Sequence, residues 1–174
     1  ELENKYVDLL INRCLSFKNS KSLFISYYSD NEEFVKKLVN VAKNKGIEDI
    51  YLDRKDKEIR HTKLLQSIDE IKNDPYFDNS IWDTYANKKA AFLMLSTEFP
   101  HYFADIPEKN LSAAALGERT SKPLYKKYQL TNEISWCIAV MPNELWAKDK
   151  FPDLSKTAAY EKYFKLMKSE AKRS

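Results

Sequence analysis

Two histidines, two cysteines and 26 carboxylates are the raw material for catalysis in this 174-residue chain, and their spacing supports little chemistry. Glu58-Ile-Arg-His61 has the Glu-x-x-His spacing that sets both side chains on one helix face, as in di-iron carboxylate bundles. Such centres need a second copy of the motif and further carboxylates on facing helices. The sequence has neither, so the match reads as chance. His101 follows Pro100 in an aromatic loop with Phe99, Tyr102 and Phe103, and reads as structural. Cys14 and Cys137 show no CxxC spacing and have no third cysteine, so neither zinc nor a disulfide framework is indicated. Cys137 lies inside an apolar run, where a buried and inert thiol is expected. Asp53 ends a predicted strand at a position where α/β proteins place ribose-binding acids, but that role needs a glycine-rich loop nearby. Gly46 and Gly117 are the only glycines. A Gly-x-Ser-x-Gly elbow, a phosphate loop and a dinucleotide fingerprint are therefore all excluded. By themselves the residues show no catalytic set.

The elements that would position these groups are clearer. Helical spacing of Tyr6, Leu9, Leu10, Arg13 and Cys14 predicts a first amphipathic helix over Glu3 to Leu15. Ser22 to Ser26 is a short apolar run typical of a buried strand. Ser29-Asp30-Asn31 offers caps for a helix striped by Phe34, Val35, Leu38, Val41 and Ala42, with Gly46 as its stop. Asp49 to Asp53 is the next strand, which completes a βαβ unit and implies a parallel pair. Further on, helices are expected over Lys57 to Ile71 and around Asn79 to Lys88, then a strand over Ala90 to Leu95. One long helical stretch runs from Ile106-Pro107 toward Tyr128. Ile134 to Val140 is the fourth strand, stopped by Met141-Pro142. A helical turn over Asn143 to Lys150 and an amphipathic helix over Ser155 to Lys168 close the chain. Strands alternating with helices predict an α/β fold: a three-layer α/β/α sandwich in one domain, with a mostly parallel sheet of four or five strands.

Composition narrows the class. The chain is 43% hydrophobic and 32% charged, ordinary for a globular protein and too apolar for disorder. Net charge is +3, far from that of a dedicated nucleic-acid binder. Residues 121–174 carry 11 basic against 6 acidic groups, but these lysines sit singly on helix faces and read as a solvated surface. Glu1 to Ile25 contains no apolar leader-like core, and no stretch is of membrane-spanning length, so the expected compartment is the cytoplasm, with no membrane partner.

One stretch is more specific. Thr131-Asn132-Glu133-Ile134-Ser135-Trp136, then Met141-Pro142, Trp146-Ala147 and Phe151-Pro152-Asp153 ahead of a helix, resembles the metallo-aminopeptidase family typified by aminopeptidase T, AmpS and PepS. Tyr6 to Leu10, Leu23 to Ser26, Gly46 to Asp53 and Ala90 to Leu95 are similar to its earlier elements in the same order, so the resemblance spans nearly the whole chain. It implies a parent enzyme that removes N-terminal residues from peptides with two divalent metals (zinc, cobalt, manganese or magnesium). In that family the metals are held by glutamates, histidines and an aspartate in a second, C-terminal domain. This chain looks like the N-terminal domain only, so the resemblance carries over no catalytic residue and no metal ligand. Its implied partners are its own C-terminal catalytic domain, peptide substrates and, as an open option, a second copy of itself. Four residues stand as candidate interdomain or substrate-route contacts: Asn132, Trp136, Pro142 and Trp146. Trp136 alternates with Cys137 on its strand, so a core or interlayer position is expected for it. Pro142 and Trp146 follow the strand's C-terminal end, the edge where open α/β sheets place ligands. The alternative is a free-standing module that uses its strand-end cleft to bind a small ligand or another protein.

Overall fold

The computed structural model describes residues 2–18 and 20–171. Its centre is a sheet of four parallel strands: β1 (Ser22–Tyr28), β2 (Asp49–Lys55), β3 (Ala91–Ser96) and β4 (Trp136–Val140), in the order β2-β1-β3-β4. Both sheet faces carry helices, as the alternating pattern predicts. The register makes Phe24 the neighbour of Tyr51 and Phe92, and Phe92 the neighbour of Trp136. Because strand side chains alternate, residues 24, 26 and 28 therefore share one face with 92, 94, 96 and with 136, 138, 140.

The opposite face is closed by α1 (Leu2–Leu9), α2 (Glu32–Asn44) and α9 (Lys156–Ala171). Leu23, Ile25 and Tyr27 of β1 meet Leu93, Leu95, Ala139 and Met141 there, over Val7, Leu38 and Phe164. Burying one such side chain stabilises the fold by roughly 1.5–3 kcal/mol. Glu32 and Glu33 in the first turn of α2 and Lys43 in its last complement the helix dipole. Gly46, at φ 84°, turns the chain out of α2, and Ile47 N–H closes on Ala42 O at 3.1 Å.

The first face carries α5 (Ile81–Asn87) and α7 (Pro123–Leu130), which pack an aromatic core on β1 and β3. Phe24 lies 5.0 Å from Phe92 and 4.8 Å from Trp82, and Trp82 meets Tyr125 edge-on at 4.9 Å. Beyond it, α3 (Lys57–Leu64), α4 (Ile68–Asn73) and α6 (Glu108–Thr120) enclose a smaller cluster of Leu64, Ile71, Phe77, Ile106 and Ala114.

Several elements differ from the sequence reading. The first helix is α-helical only to Leu9 and continues as a π-helical turn, Leu10–Cys14. The helix expected over Lys57 to Ile71 is two helices, because Ser67 caps α4 in a reciprocal pair with Glu70. The long stretch after Pro107 likewise breaks at Pro123, which has no N–H to continue α6 but suits the first turn of α7. The helical turn expected over Asn143 to Lys150, by contrast, forms as α8 (Glu144–Lys150).

Candidate functional site

Open α/β sheets bind ligands beyond the strand C-termini where the order reverses, here between β1 and β3. In this chain that crevice is filled by its own rings. Phe99 packs edge-on against Tyr28 at 4.9 Å, and the Lys57 ammonium lies 5.3 Å from the Phe99 ring while pairing with Asp30 at 2.7 Å. Both histidines make contacts at the loop that carries Phe99. His61 Nε2 contacts Asp105 at 2.9 Å, and His101, itself in the left-handed region at φ 64°, reaches Asp149 of α8 at 3.3 Å. His61 is thus a latch between α3 and the loop, and its Glu-x-x-His partner Glu58 is exposed. Among the described residues, no three His, Cys, Asp or Glu side chains converge to hold a metal. The described residues therefore offer no ligand set for a two-metal centre.

Two buried asparagines anchor the same edge. Asn143 Oδ1 accepts the Trp146 N–H at 2.9 Å and caps α8, while its Nδ2 donates to Thr97 Oγ1 at 2.8 Å and to Glu98 O at 2.7 Å. Asn31 Nδ2 donates to Pro142 O at 2.9 Å. Pro142 is consequently buried at a junction of β1 and β4. Trp146 is half-buried and turns to α9, where its ring meets Tyr163 edge-on at 5.2 Å.

Trp136 corrects the expectation of a core position. Helices α5 and α7 sit over β1 and β3, and β4 is the sheet's edge strand, so the outer part of this face has no cover. Trp136 is 39% exposed, Ile138 57% and Val140 41%, an apolar stripe along one side of β4. Asn132, at φ 55° in an exposed turn, precedes β4 at its N-terminal end. The four candidate residues therefore do not form one pocket: Asn132 lies at one end of β4, Trp136 on its open side, and Pro142 and Trp146 at the other end.

The covered half of that face carries an ionic cluster that no sequence motif signals. Arg60 of α3 grips Glu118 of α6 with two nitrogens, at 2.6 and 3.2 Å, and Lys55 stands 3.8 Å from the same carboxylate. Burial alone would raise the Glu118 carboxyl, but the Arg60 hydrogen bonds and neighbouring lysines hold it below the usual carboxylate range. Lys122 completes the group: its ammonium lies 3.6 Å from the Trp82 ring, and burial, then Lys55, push it down to about 8. Asp53, the candidate ribose acid, instead accepts from Ser26 Oγ at 3.0 Å. Charged residues dispersed between positions 53 and 122 give no local motif, so only the packing of α3 against α6 brings them together.

The comparisons with known proteins agree with the fold and with the resemblance. A family model described as thermophilic metalloprotease (M29) matches residues 1–172. Aminopeptidase AmpS of Bacillus subtilis (strain 168) is 22% identical over 167 residues, which cover 93% of this chain and 41% of AmpS. The solved structure of wild-type AmpT from Thermus thermophilus superposes with a TM-score of 0.83 at 17% identity, covering 95% of this chain and 42% of that one. At that identity the likeness to AmpT is one of fold. The chain spans about two-fifths of the length of both relatives.

Proposed function

Because the chain belongs to the M29 family of metalloproteases, we propose that it is the N-terminal, non-catalytic domain of a cytoplasmic aminopeptidase that removes N-terminal residues from peptides. The observation that carries this reading is the uncovered apolar stripe of Trp136, Ile138 and Val140 along one side of the edge strand β4. Exposed contiguous apolar surface marks an interaction site, and relatives more than twice as long supply a partner of the right kind, a second domain of the same protein. In this reading the stripe packs against the catalytic domain. The α8 edge, fixed by Asn31 and Asn143, then shapes or gates the route by which peptides reach the active site.

Divalent metals in the parent (zinc, cobalt, manganese or magnesium, as a pair) would polarise the scissile carbonyl and supply a hydroxide at neutral pH. In this reading the chain's own contribution is positional. A direct test is hydrolysis of leucine p-nitroanilide by purified 1–174 with each of the four metals added. No turnover is expected, and metal-dependent turnover by this chain alone would refute the assignment of a non-catalytic role.

A further inference from the structure

The chain's two cysteines lie far apart in sequence, yet the fold brings them to one place. Two hydrogen bonds bracket it. Ser16 N–H donates to Ser135 Oγ at 2.9 Å, and Tyr6 Oη donates to Val140 O at 3.1 Å. The segment from 6 to 16 therefore runs antiparallel to 135–140, along the free edge of β4. That places Cys14, two residues before Ser16, opposite Cys137, two residues after Ser135. The alternation of β4 also turns Cys137 to the side on which α1 packs, with Ala139. The π-helical turn comes within 8 Å of β4, Cα to Cα, and a disulfide needs Cα atoms about 4.4–6.8 Å apart. Burial first, then the neighbouring Cys14, pushes the Cys137 thiol up to about 11. The Tyr6 phenol on the same segment is pushed up to about 12 by burial and then by the two thiols. Cys14 is exposed and Cys137 half-buried.

We propose that Cys14 and Cys137 form an oxidant-responsive dithiol, a site that reacts with small-molecule disulfides of the glutathione class and closes into a Cys14–Cys137 bridge. The exposed Cys14 thiolate attacks one sulfur of the small disulfide, displacing its other half as a thiolate and leaving a mixed disulfide on Cys14. Cys137 then gives its proton to solvent and attacks Cys14 Sγ, releasing the second half as a thiolate. One small disulfide is reduced to two thiols, and the protein pair is oxidised to one disulfide. The bridge staples the end of the first helix to the sheet's edge strand, and it forms whether or not the chain serves a peptidase.

The test is incubation of the folded protein, at low micromolar concentration, with oxidised glutathione, followed by intact mass and non-reducing peptide mapping. The expected product is a monomer lighter by two hydrogen atoms, with the Cys14 and Cys137 peptides linked and the link reversed by dithiothreitol. Cys137→Ser should instead retain one glutathione on Cys14, since the resolving thiol is gone. If that variant does not fold, the wild-type map decides alone. Two stable glutathione adducts on the folded protein, a bridge only between copies, or no reaction would overturn the proposal. So would bridge closure in guanidinium-unfolded protein as fast as in the folded one, because the fold would then contribute nothing.

Discussion

Replacing Glu118 by Gln tests whether the cluster at Arg60 acts as a buried ion pair or as a screened surface contact. Both side chains are 17% exposed, and Arg60 makes two of its hydrogen bonds to this one carboxylate. Removing one partner of a fully buried pair costs about 3–5 kcal/mol, because the other charge is left uncompensated. Allowing for the residual exposure and for the amide oxygen, which can still accept from Arg60, about 2–3 kcal/mol is expected here. For a domain of this size that is a fall in Tm of about 5–10 °C. Thermal and urea unfolding at neutral pH measure it, and they should agree if unfolding is two-state. The double variant Arg60→Met with Glu118→Met should recover part of the loss, since an apolar pair of similar volume is often near-neutral. Recovery should stay incomplete, because Lys55 and Lys122 also rely on Glu118. A cost below about 0.5 kcal/mol for Glu118→Gln would instead place the pair among solvent-screened contacts, against a buried ion pair.

Three further outcomes follow from the same structure. Asn143→Ala removes the α8 cap and the bonds to Thr97 and Glu98 from a side chain only 2% exposed, and should cost about 2–3 kcal/mol in urea unfolding. Ile138→Lys, on the open side of β4, should leave the stability of 1–174 within about 0.5 kcal/mol while reducing apolar-dye binding; a large destabilisation would mean the stripe is already packed. Stability should be level from pH 7 to 5 and fall below about pH 4. Asp74, held down by Lys63, and Glu118, held down by Arg60 against the effect of burial, titrate lower folded than unfolded. Their contribution is therefore present above the unfolded value and is lost as pH drops through the folded one. A urea midpoint as high at pH 3 as at pH 7 would contradict this.

The parts of the fold legible in the sequence were those in which local pattern and tertiary role coincide. Leu23 to Ile25 is apolar at every position because β1 is buried on both faces. The spacing of Phe34, Val35, Leu38 and Ala42 on α2 and the left-handed Gly46 are likewise local signals that the packing obeys. Trp136 and Cys137 show where this stops. An edge strand and a central strand have the same composition, and only the placement of α5 and α7 leaves Trp136 exposed. Cys137 reads as an inert thiol until the first helix is laid along β4 and brings Cys14 to it. Of the candidate site, the loop-ordering asparagines have weak local signals, Asn143 before a helix start and Asn31 after a strand. The cluster of Lys55, Arg60, Glu118 and Lys122 has none, because nothing in the spacing of those residues specifies how α3 and α6 meet.

The proposal that this chain is one domain of a longer aminopeptidase can be checked by the intact mass of the endogenous protein in a cell extract. The expected product is well above the 20.5 kDa of this chain, and its peptide map continues past Ser174 into a segment with glutamate, histidine and aspartate ligands. An endogenous product of 20.5 kDa that ends at Ser174 would contradict it.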